Sequence, residues 1–392
     1  MLRNATRCLG VGAMFFLVAV LGANPVAAKD TVKVGYIGPL TGGNSAVGLG
    51  ARNSADLAVK LQNANPASKY TYELVALDDE CKANIGVQVA TKMASDPKII
   101  GASTHYCSAV ALGTVDIYHR FKMPAIVWGA VEPKITYGND YPEIFRTIGT
   151  QEYQNKVASE FMRSQGYKTF AIIHDTTDYG KAHKDFFSKF LTEQGGEILG
   201  VFGVTSEQQD FTTELTKIKA LNPDVLYFGG LTPLGVRIRS QMDKLELNAQ
   251  FEGTSGIKSD AYITGAGAGL AEGTLSFLDG APVEKLAGGK AFTEAYAKEG
   301  YDQPAEALGI FAFAGTKQLI DAIEKVGPNR KAVITALQQL KDDDTLIGKI
   351  TYDEHGQNAI PLMTKYVVQD GKWTIWEDSE YASGKRSLVK PK

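Results

Sequence analysis

From Val32 onward the chain alternates short apolar, β-branched runs with longer amphipathic stretches. That order is the signature of βαβ units closing on a parallel sheet. Strands are predicted over 32–37, 72–77, 99–101 and 125–127, separated by stretches 51–61, 85–94 and 109–121 that carry apolar residues at helical spacing. Near 146–151 the alternation restarts, with a helix from Glu152, a strand over 170–174, a helix from Lys181 and a strand near 198–204. A helix from Phe211, a strand over 225–229, a helix from Leu234 and a strand ending near Gly253 complete the second half. Segment 276–282 leads into helical stretches 291–298 and 305–325, and short β-rich segments, including 349–352 and 363–368, end the chain. The fold class expected is α/β, with two doubly wound parallel-sheet lobes. The 392-residue length supports two domains, because one compact core rarely grows so large.

The first residues have the three parts of an export signal: Arg3 and Arg7, an apolar run from Val11 to Leu21, and small residues at Ala27 and Ala28. Cleavage is expected after Ala28, giving a periplasmic mature protein; the apolar run is short for a membrane span, which needs about 20 residues. A retained N-terminal anchor is the alternative. Of three cysteines, Cys8 leaves with the signal, and Cys81 and Cys107 remain as an even pair in an oxidising compartment. A disulfide between them is expected; two buried free thiols are the other reading. The formal charge of −3, with both signs interspersed, provides no basic stripe for nucleic acid.

In open parallel sheets ligands sit beyond the carboxyl ends of the strands, where helix starts present free N–H groups. The loops to examine are therefore 38–48, 78–83, 105–108, 128–133, 175–180, 229–233 and 253–258. No G-x-S-x-G elbow, phosphate loop, H-E-x-x-H or zinc-type cysteine cluster is present. Gly265, Gly267, Gly269 and Gly273 lack dinucleotide spacing and read as a flexible loop. The triplet Asp78, Asp79 and Glu80 is either an acid/base or cation site or a solvated turn. His105 and His174, the latter beside Asp175, are candidate bases or structural residues, and no serine or cysteine is placed as their nucleophile. No cofactor, no metal and no catalytic residue are expected.

The sequence resembles the periplasmic leucine/isoleucine/valine-binding type of solute-binding protein, which serves branched-chain amino acid ABC importers. The likeness covers nearly the whole mature chain. It rests on V-K-V-G-Y-I-G-P-L-T-G from Val32, Cys81 and Cys107 with Ser108 following, and F-R-T-I-G from Phe145. I-I-H-D-T-T-D-Y-G from Ile172, D-F-T at Asp210 and Y-F-G-G at Tyr227 extend it in order. The resemblance implies a type I periplasmic binding protein fold: a signal peptide over 1–28, one lobe from 29–149 plus 279–357, a second from 150–278 plus 358–392, and three hinge crossings between them. It also implies a soluble monomer that hands a small carboxylate to a membrane permease.

In that family a serine after the second cysteine holds the ligand carboxylate, and Ser108 matches it; a plain helix N-cap is its bland reading. Tyr179 matches a tyrosine that reaches the ligand from the second lobe, or else packs the helix start. Departures narrow the solute. Val131, in the segment Trp128, Gly129, Ala130 and Val131, replaces a carboxylate-binding threonine, and Ser255 replaces the glutamate that pairs with the α-ammonium. Losing one partner of a buried ion pair costs about 3–5 kcal/mol, so an ordinary amino acid needs another acid, for which Glu252 or the 78–80 cluster are candidates. The resemblance puts Val47, Tyr106 and Leu231 at the side-chain end, with Trp128 and Ile310 close, an apolar and partly aromatic lining. The ligand expected is an amino acid or a carboxylate lacking the ammonium, such as an aromatic or branched oxo acid. Two alternatives stand beside import: a hydrolase using His174 and Asp175, and a sensing module that reports solute occupancy to a signalling partner.

Overall fold

In the computed structural model the alternation becomes two separate sheets. The structure describes residues 1, 2, 29–358 and 362–391, so residues 3–28 of the expected export signal lie outside the described residues. The first sheet contains β1 (Thr31–Gly38), β2 (Thr71–Asp78), β3 (Ile99–Thr104), β4 (Ala125–Val127) and β5 (Ile144–Arg146) in the order β2-β1-β3-β4-β5, all parallel. The central position of β1 requires both its faces to be covered, and Val34, Tyr36 and Ile37 are fully buried. Helices α1 (Ser45–Ala64), α2 (Ala83–Ser95), α3 (Ser108–Arg120) and the short α4 (Lys134–Tyr137) connect these strands. Sequence reading did not anticipate β5, whose three residues are too few to show a period.

The second sheet holds β6 (Thr169–Asp175), β7 (Glu197–Val204), β8 (Val225–Gly229), β9 (Gln250–Gly253) and β10 (Leu275–Asp279). They alternate with α5 (Gln151–Ser164), α6 (Asp178–Glu193), α7 (Thr212–Leu221), α8 (Thr232–Lys244), α9 (Asp260–Ala266) and α10 (Ala268–Ala271). The chain then returns to the first sheet with α11 (Gly289–Glu299), α12 (Gly309–Val326), α13 (Arg330–Gln338) and a small hairpin of β11 (Asp343–Thr345) and β12 (Gly348–Ile350). Finally β13 (Met363–Gln369) and β14 (Lys372–Ile375) extend the second sheet, which runs β14-β13-β10-β9-β8-β6-β7. These last two strands run antiparallel at the edge of an otherwise parallel sheet. They need no crossover helix, because Asp370 and Gly371, with φ of 53° and 71°, close a tight hairpin turn between them.

Two expectations are corrected. The 265–273 glycine run is not a loop: Gly265 and Gly269 lie within α9 and α10, and only Gly267 between them (φ 86°) and Gly273 (φ 74°) adopt the left-handed backbone. The helix predicted from Ala305 starts at Gly309, because residues 302–308 form a connecting loop in which Glu306 has φ 56°.

The chain passes between the sheets after Arg146, after Asp279 and before Met363. Polar side chains stitch these passages. Arg146 is fully buried and donates to Glu132 O (2.7 Å), Ala130 O (3.3 Å), Thr136 Oγ1 (2.9 Å) and Gln357 Oε1 (2.5 Å). Gln357 in turn donates to Ile148 O (2.9 Å), and Gln154 Nε2 donates to the Asp279 carboxylate. A glycine is needed at 149, since a Cβ there would fall 2.0 Å from Asp279 Oδ1.

Cys81 and Cys107 form the expected disulfide, with Cα atoms 5.5 Å apart across a sequence separation of 26. It joins the loop after β2 to the start of α3. In the chain-entropy account a loop of this size restricts the unfolded chain by about 3 kcal/mol. Urea unfolding with and without reductant is expected to show a loss of that order; unchanged midpoints would mean that the bridge does not contribute.

Candidate ligand-binding cleft

Both sheets direct the carboxyl ends of their strands toward one interlobe space. From the first lobe come the loop before α1, the disulfide and the start of α3; from the second come the starts of α6 and α8. They enclose a cavity of about 390 Å³. Of the residues singled out in the sequence, Ser108, Tyr179, Leu231, Glu80 and Asp175 line it, along with Cys81 and Cys107.

Ser108 opens α3, and its side chain is 1% exposed. Its Oγ has no hydrogen-bond partner, which is unusual for a buried hydroxyl. The Val110 and Ala111 N–H groups bond Cys107 O, whereas the first N–H groups of a helix have no acceptor within it. Hydroxyl and helix start together form a donor set for an anion. Asn44 Oδ1, just before α1 and in the same cavity wall, is also buried without a partner.

The remaining candidates lie deeper. Val47, Tyr106, Trp128, Val131 and Tyr179 share one buried cluster with Ile310 and Cys107, and Leu231 packs against it. Tyr106 stacks on Trp128 (centroids 5.9 Å) and Trp128 on Tyr36 (5.8 Å), an aromatic ladder running into the first lobe. Trp128 Nε1 donates to Ile37 O (3.3 Å) and Tyr36 to Gly48 O (2.8 Å), so the ladder is pinned at its polar ends. The Tyr106 hydroxyl crosses to the second lobe, donating to Gly256 O at 3.4 Å. Gly129 lies beneath Tyr106, where a Cβ would come within 3.1 Å of the ring, and its N–H is committed to His105 O (3.2 Å). Val131 O accepts from Gln151 N (2.9 Å) at the first passage. The Tyr179 hydroxyl donates to Thr254 Oγ1 (2.9 Å) and accepts from Gly256 N (3.0 Å), while Ser255 Oγ donates to Gln154 Oε1 (3.1 Å).

Of the acids weighed as ammonium partners only Glu80 lines the cavity. Asp78 holds the loop before α1 through Leu40 N (2.8 Å) and Thr41 Oγ1 (2.5 Å). Asp79 bonds His105 Nδ1 (2.9 Å), and His105 Nε2 meets Tyr118 OH (2.7 Å) and Thr114 Oγ1 (3.0 Å), a wholly buried structural network. His174 Nδ1 is bonded to Asp175 O (2.8 Å). Glu252 is fully buried in β9 opposite Tyr227 and Leu275, neither carboxylate oxygen has a partner, and burial pushes its pKa well up. Three acids reach the cavity walls: Asp175 accepts from Thr177, Glu80 pairs with Lys82 (2.8 Å), and Glu207 is exposed to solvent. Among the described residues no His, Cys, Asp and Glu group could hold a metal ion.

Sequence reasoning missed Arg237 and Pro233 on α8 and Ser206 and Glu207 after β7, all in the cavity wall. Pro233 lay within a flagged loop, but Arg237 enters from inside a helix, where periodicity carries no sign of it. The inter-passage carboxylate Asp279 was missed too.

Two α/β lobes facing each other across a cavity lined by opposed helix starts define a solute-binding protein, which binds and does not transform its ligand. The chain belongs to the periplasmic binding protein family, which residues 31–372 match. The Leu/Ile/Val-binding protein BraC3 of Rhizobium johnstonii is 32% identical over 364 residues, covering 91% of this chain and 96% of that protein. A leucine-, isoleucine-, valine-, threonine- and alanine-binding protein of Pseudomonas aeruginosa is 29% identical, covering 88% and 91%. The crystal structure of the leucine-binding protein LivK of Thermotoga maritima superposes with a TM-score of 0.80 at 24% identity, covering 92% and 99%. A solute-binding protein of an ABC transporter from R. palustris, in complex with benzoate, superposes with a TM-score of 0.79 at 19% identity, covering 92% and 97%. The two structural likenesses bear on the fold alone.

Burial raises the Asp279 carboxyl to about 7, against the Gln154 hydrogen bond and the Arg146 charge, which lower it. An unfolded aspartate titrates near 3.9, roughly, so between these values the folded chain holds the extra proton. Stability from this site is therefore full at low pH and falls as pH rises toward neutrality. Asp279→Asn is expected to raise the urea midpoint relative to wild type at about pH 8 and to change it little at about pH 4. An equal change at both would exclude the buried carboxylate as the cause.

Proposed function

We propose that this protein traps a small carboxylate between two hinged lobes, 29–149 plus 279–357 and 150–278 plus 358–392, and delivers it as a monomer to the permease of an ABC importer. The observation that carries the ligand assignment is the buried, unpartnered Ser108 hydroxyl at the start of α3 in the cavity wall. A carboxylate removed from water there gains a hydroxyl donor and the helix dipole.

The residues weighed as partners of an α-ammonium are not placed for it: Ser255 is neutral and bonded to Gln154, Glu252 is buried away from the cavity wall with its pKa pushed well up by burial, and Glu207 in the wall is exposed to solvent. The reading therefore favours an acid without an ammonium, aromatic or branched, against the Tyr106 and Leu231 side of the cleft. Benzoate in the R. palustris neighbour, and 4-hydroxybenzoate and 3,4-dihydroxybenzoic acid in two further R. palustris and Rhodopseudomonas neighbours, are ligands of this chemistry. The relatives named for branched-chain amino acids make those the competing solutes. A sensing role draws no support from these relatives.

Calorimetry with benzoate, phenylpyruvate, 4-methyl-2-oxopentanoate and leucine tests the assignment. At least one acid is expected to bind, and Ser108→Ala to weaken it by about tenfold or more, the value of a hydrogen bond to a charged group. Leucine binding that Ser108→Ala abolishes, with silence from every acid, would overturn the preference for an ammonium-free ligand. Export is proposed through residues 1–28, so mass spectrometry of the periplasmic protein is expected to place Lys29 first; a chain still beginning at Met1 would exclude cleavage.

A further inference from the structure

The buried cluster that contains Tyr106 and Tyr179 also contains Leu278, Phe292, Tyr296 and Ile310, and these four line a second cavity of about 390 Å³. It shares no lining residue with the Ser108 cavity. Both lobes build it: Phe292, Tyr296 and Ile310 come from α11 and α12, and Leu278, Tyr366 and Trp373 from β10, β13 and β14. Its size suits a small organic molecule, for which pockets of roughly 300–1,000 Å³ are usual.

Lys258 of the second lobe and Glu306 and Glu284 of the first line this aromatic-walled space, and of the three Glu284 is exposed to solvent. Lys258, from the second lobe, holds its ammonium 4.5 Å from the Tyr366 ring centroid and 5.9 Å from that of Trp373. It makes no hydrogen bond or ion pair with a described residue, and burial lowers its pKa. Glu306, from the loop before α12, accepts from Asp260 N and Gln303 Nε2, each at 3.2 Å, and burial raises its carboxyl to about 7. Both groups line the cavity, yet they do not form an ion pair with each other. Aromatic faces attract a cation but do not neutralise it, and a desolvated carboxylate is disfavoured until a cation reaches it. A simple anion would satisfy Lys258 while meeting Glu306, and a simple cation would do the reverse. Only a molecule that carries both charges compensates both lobes at once.

We propose that this second cavity binds a zwitterionic amino acid with an apolar side chain, its carboxylate on Lys258, its ammonium on Glu306 and its side chain against Phe292, Tyr296 and Ile310. The site goes beyond the carboxylate cleft and does not depend on that assignment. Because Lys258 and Glu306 belong to different lobes, its occupancy favours the closed arrangement and so raises affinity for the cleft ligand, with the reciprocal effect required by linkage.

Calorimetry of the mature protein with L-leucine and L-phenylalanine tests the site. Binding of at least one is expected to survive Ser108→Ala and to weaken at least tenfold in both Lys258→Met and Glu306→Gln, with circular dichroism confirming folded variants. Thr293→Trp, which fills the cavity from α11 and leaves both charges in place, serves where a charge variant fails to fold and is expected to abolish the same heat. Amino-acid binding lost in Ser108→Ala but intact in Lys258→Met would place the amino acid in the cleft and overturn the proposal. Absence of heat from both amino acids with wild-type protein would overturn it as well, as would benzoate binding that depends on Lys258 and ignores Glu306.

Discussion

The buried guanidinium of Arg146 governs the architecture around it. A desolvated cation is expensive unless its donors are matched, and here backbone and side-chain oxygens from two stretches of chain surround it. Burial draws its pKa down to about 10, so it remains charged at neutral pH. Through Ala130 O and Glu132 O it fixes the segment that underlies Tyr106, and through Gln357 it ties the first passage between sheets to the third. Gln154 and Asp279 connect the second passage to the same region. A compact polar stitch thus joins the lobes where the chain passes between them, an arrangement suited to hinge motion.

Beyond that stitch the lobes meet through side chains that tolerate separation. The Tyr36, Trp128 and Tyr106 ladder is anchored in the first lobe and reaches the second by one long hydrogen bond, 3.4 Å to Gly256 O. Tyr179 directs its hydroxyl into its own lobe, toward Thr254 and Gly256. Opening therefore breaks few strong polar contacts, and the start of α3 is held by the frame of sheet and disulfide. A preorganised donor set of this kind limits the ordering cost of binding.

Much of the fold was legible because its signals are local. The apolar run of β1, the helical spacing of α2 and α3 and the apolar, aromatic run of β8 are each read within a few residues. Loops at strand ends followed directly, and most of the Ser108 cavity lies in them. Where local signals were weak the reading failed or stayed silent: β5 is three residues long, and of the 265–273 glycines Gly265 and Gly269 sit in helices, Gly265 against Val236 of α8. Glu252 shows the same gap from the other direction. As a letter it offers a negative charge, but burial without a partner disfavours the charged form.

Sequence by itself determined the alternation of strand and helix, the cysteine pair and the serine that follows its second member. Each is a property of residue identity and near spacing. Tertiary structure alone decided which charges survive burial, which hydroxyls are already spent, and that Lys258 and Glu306, 48 positions apart, face one cavity from opposite lobes. Those outcomes depend on desolvation and on contacts between distant segments, and neither is written in any short stretch of chain.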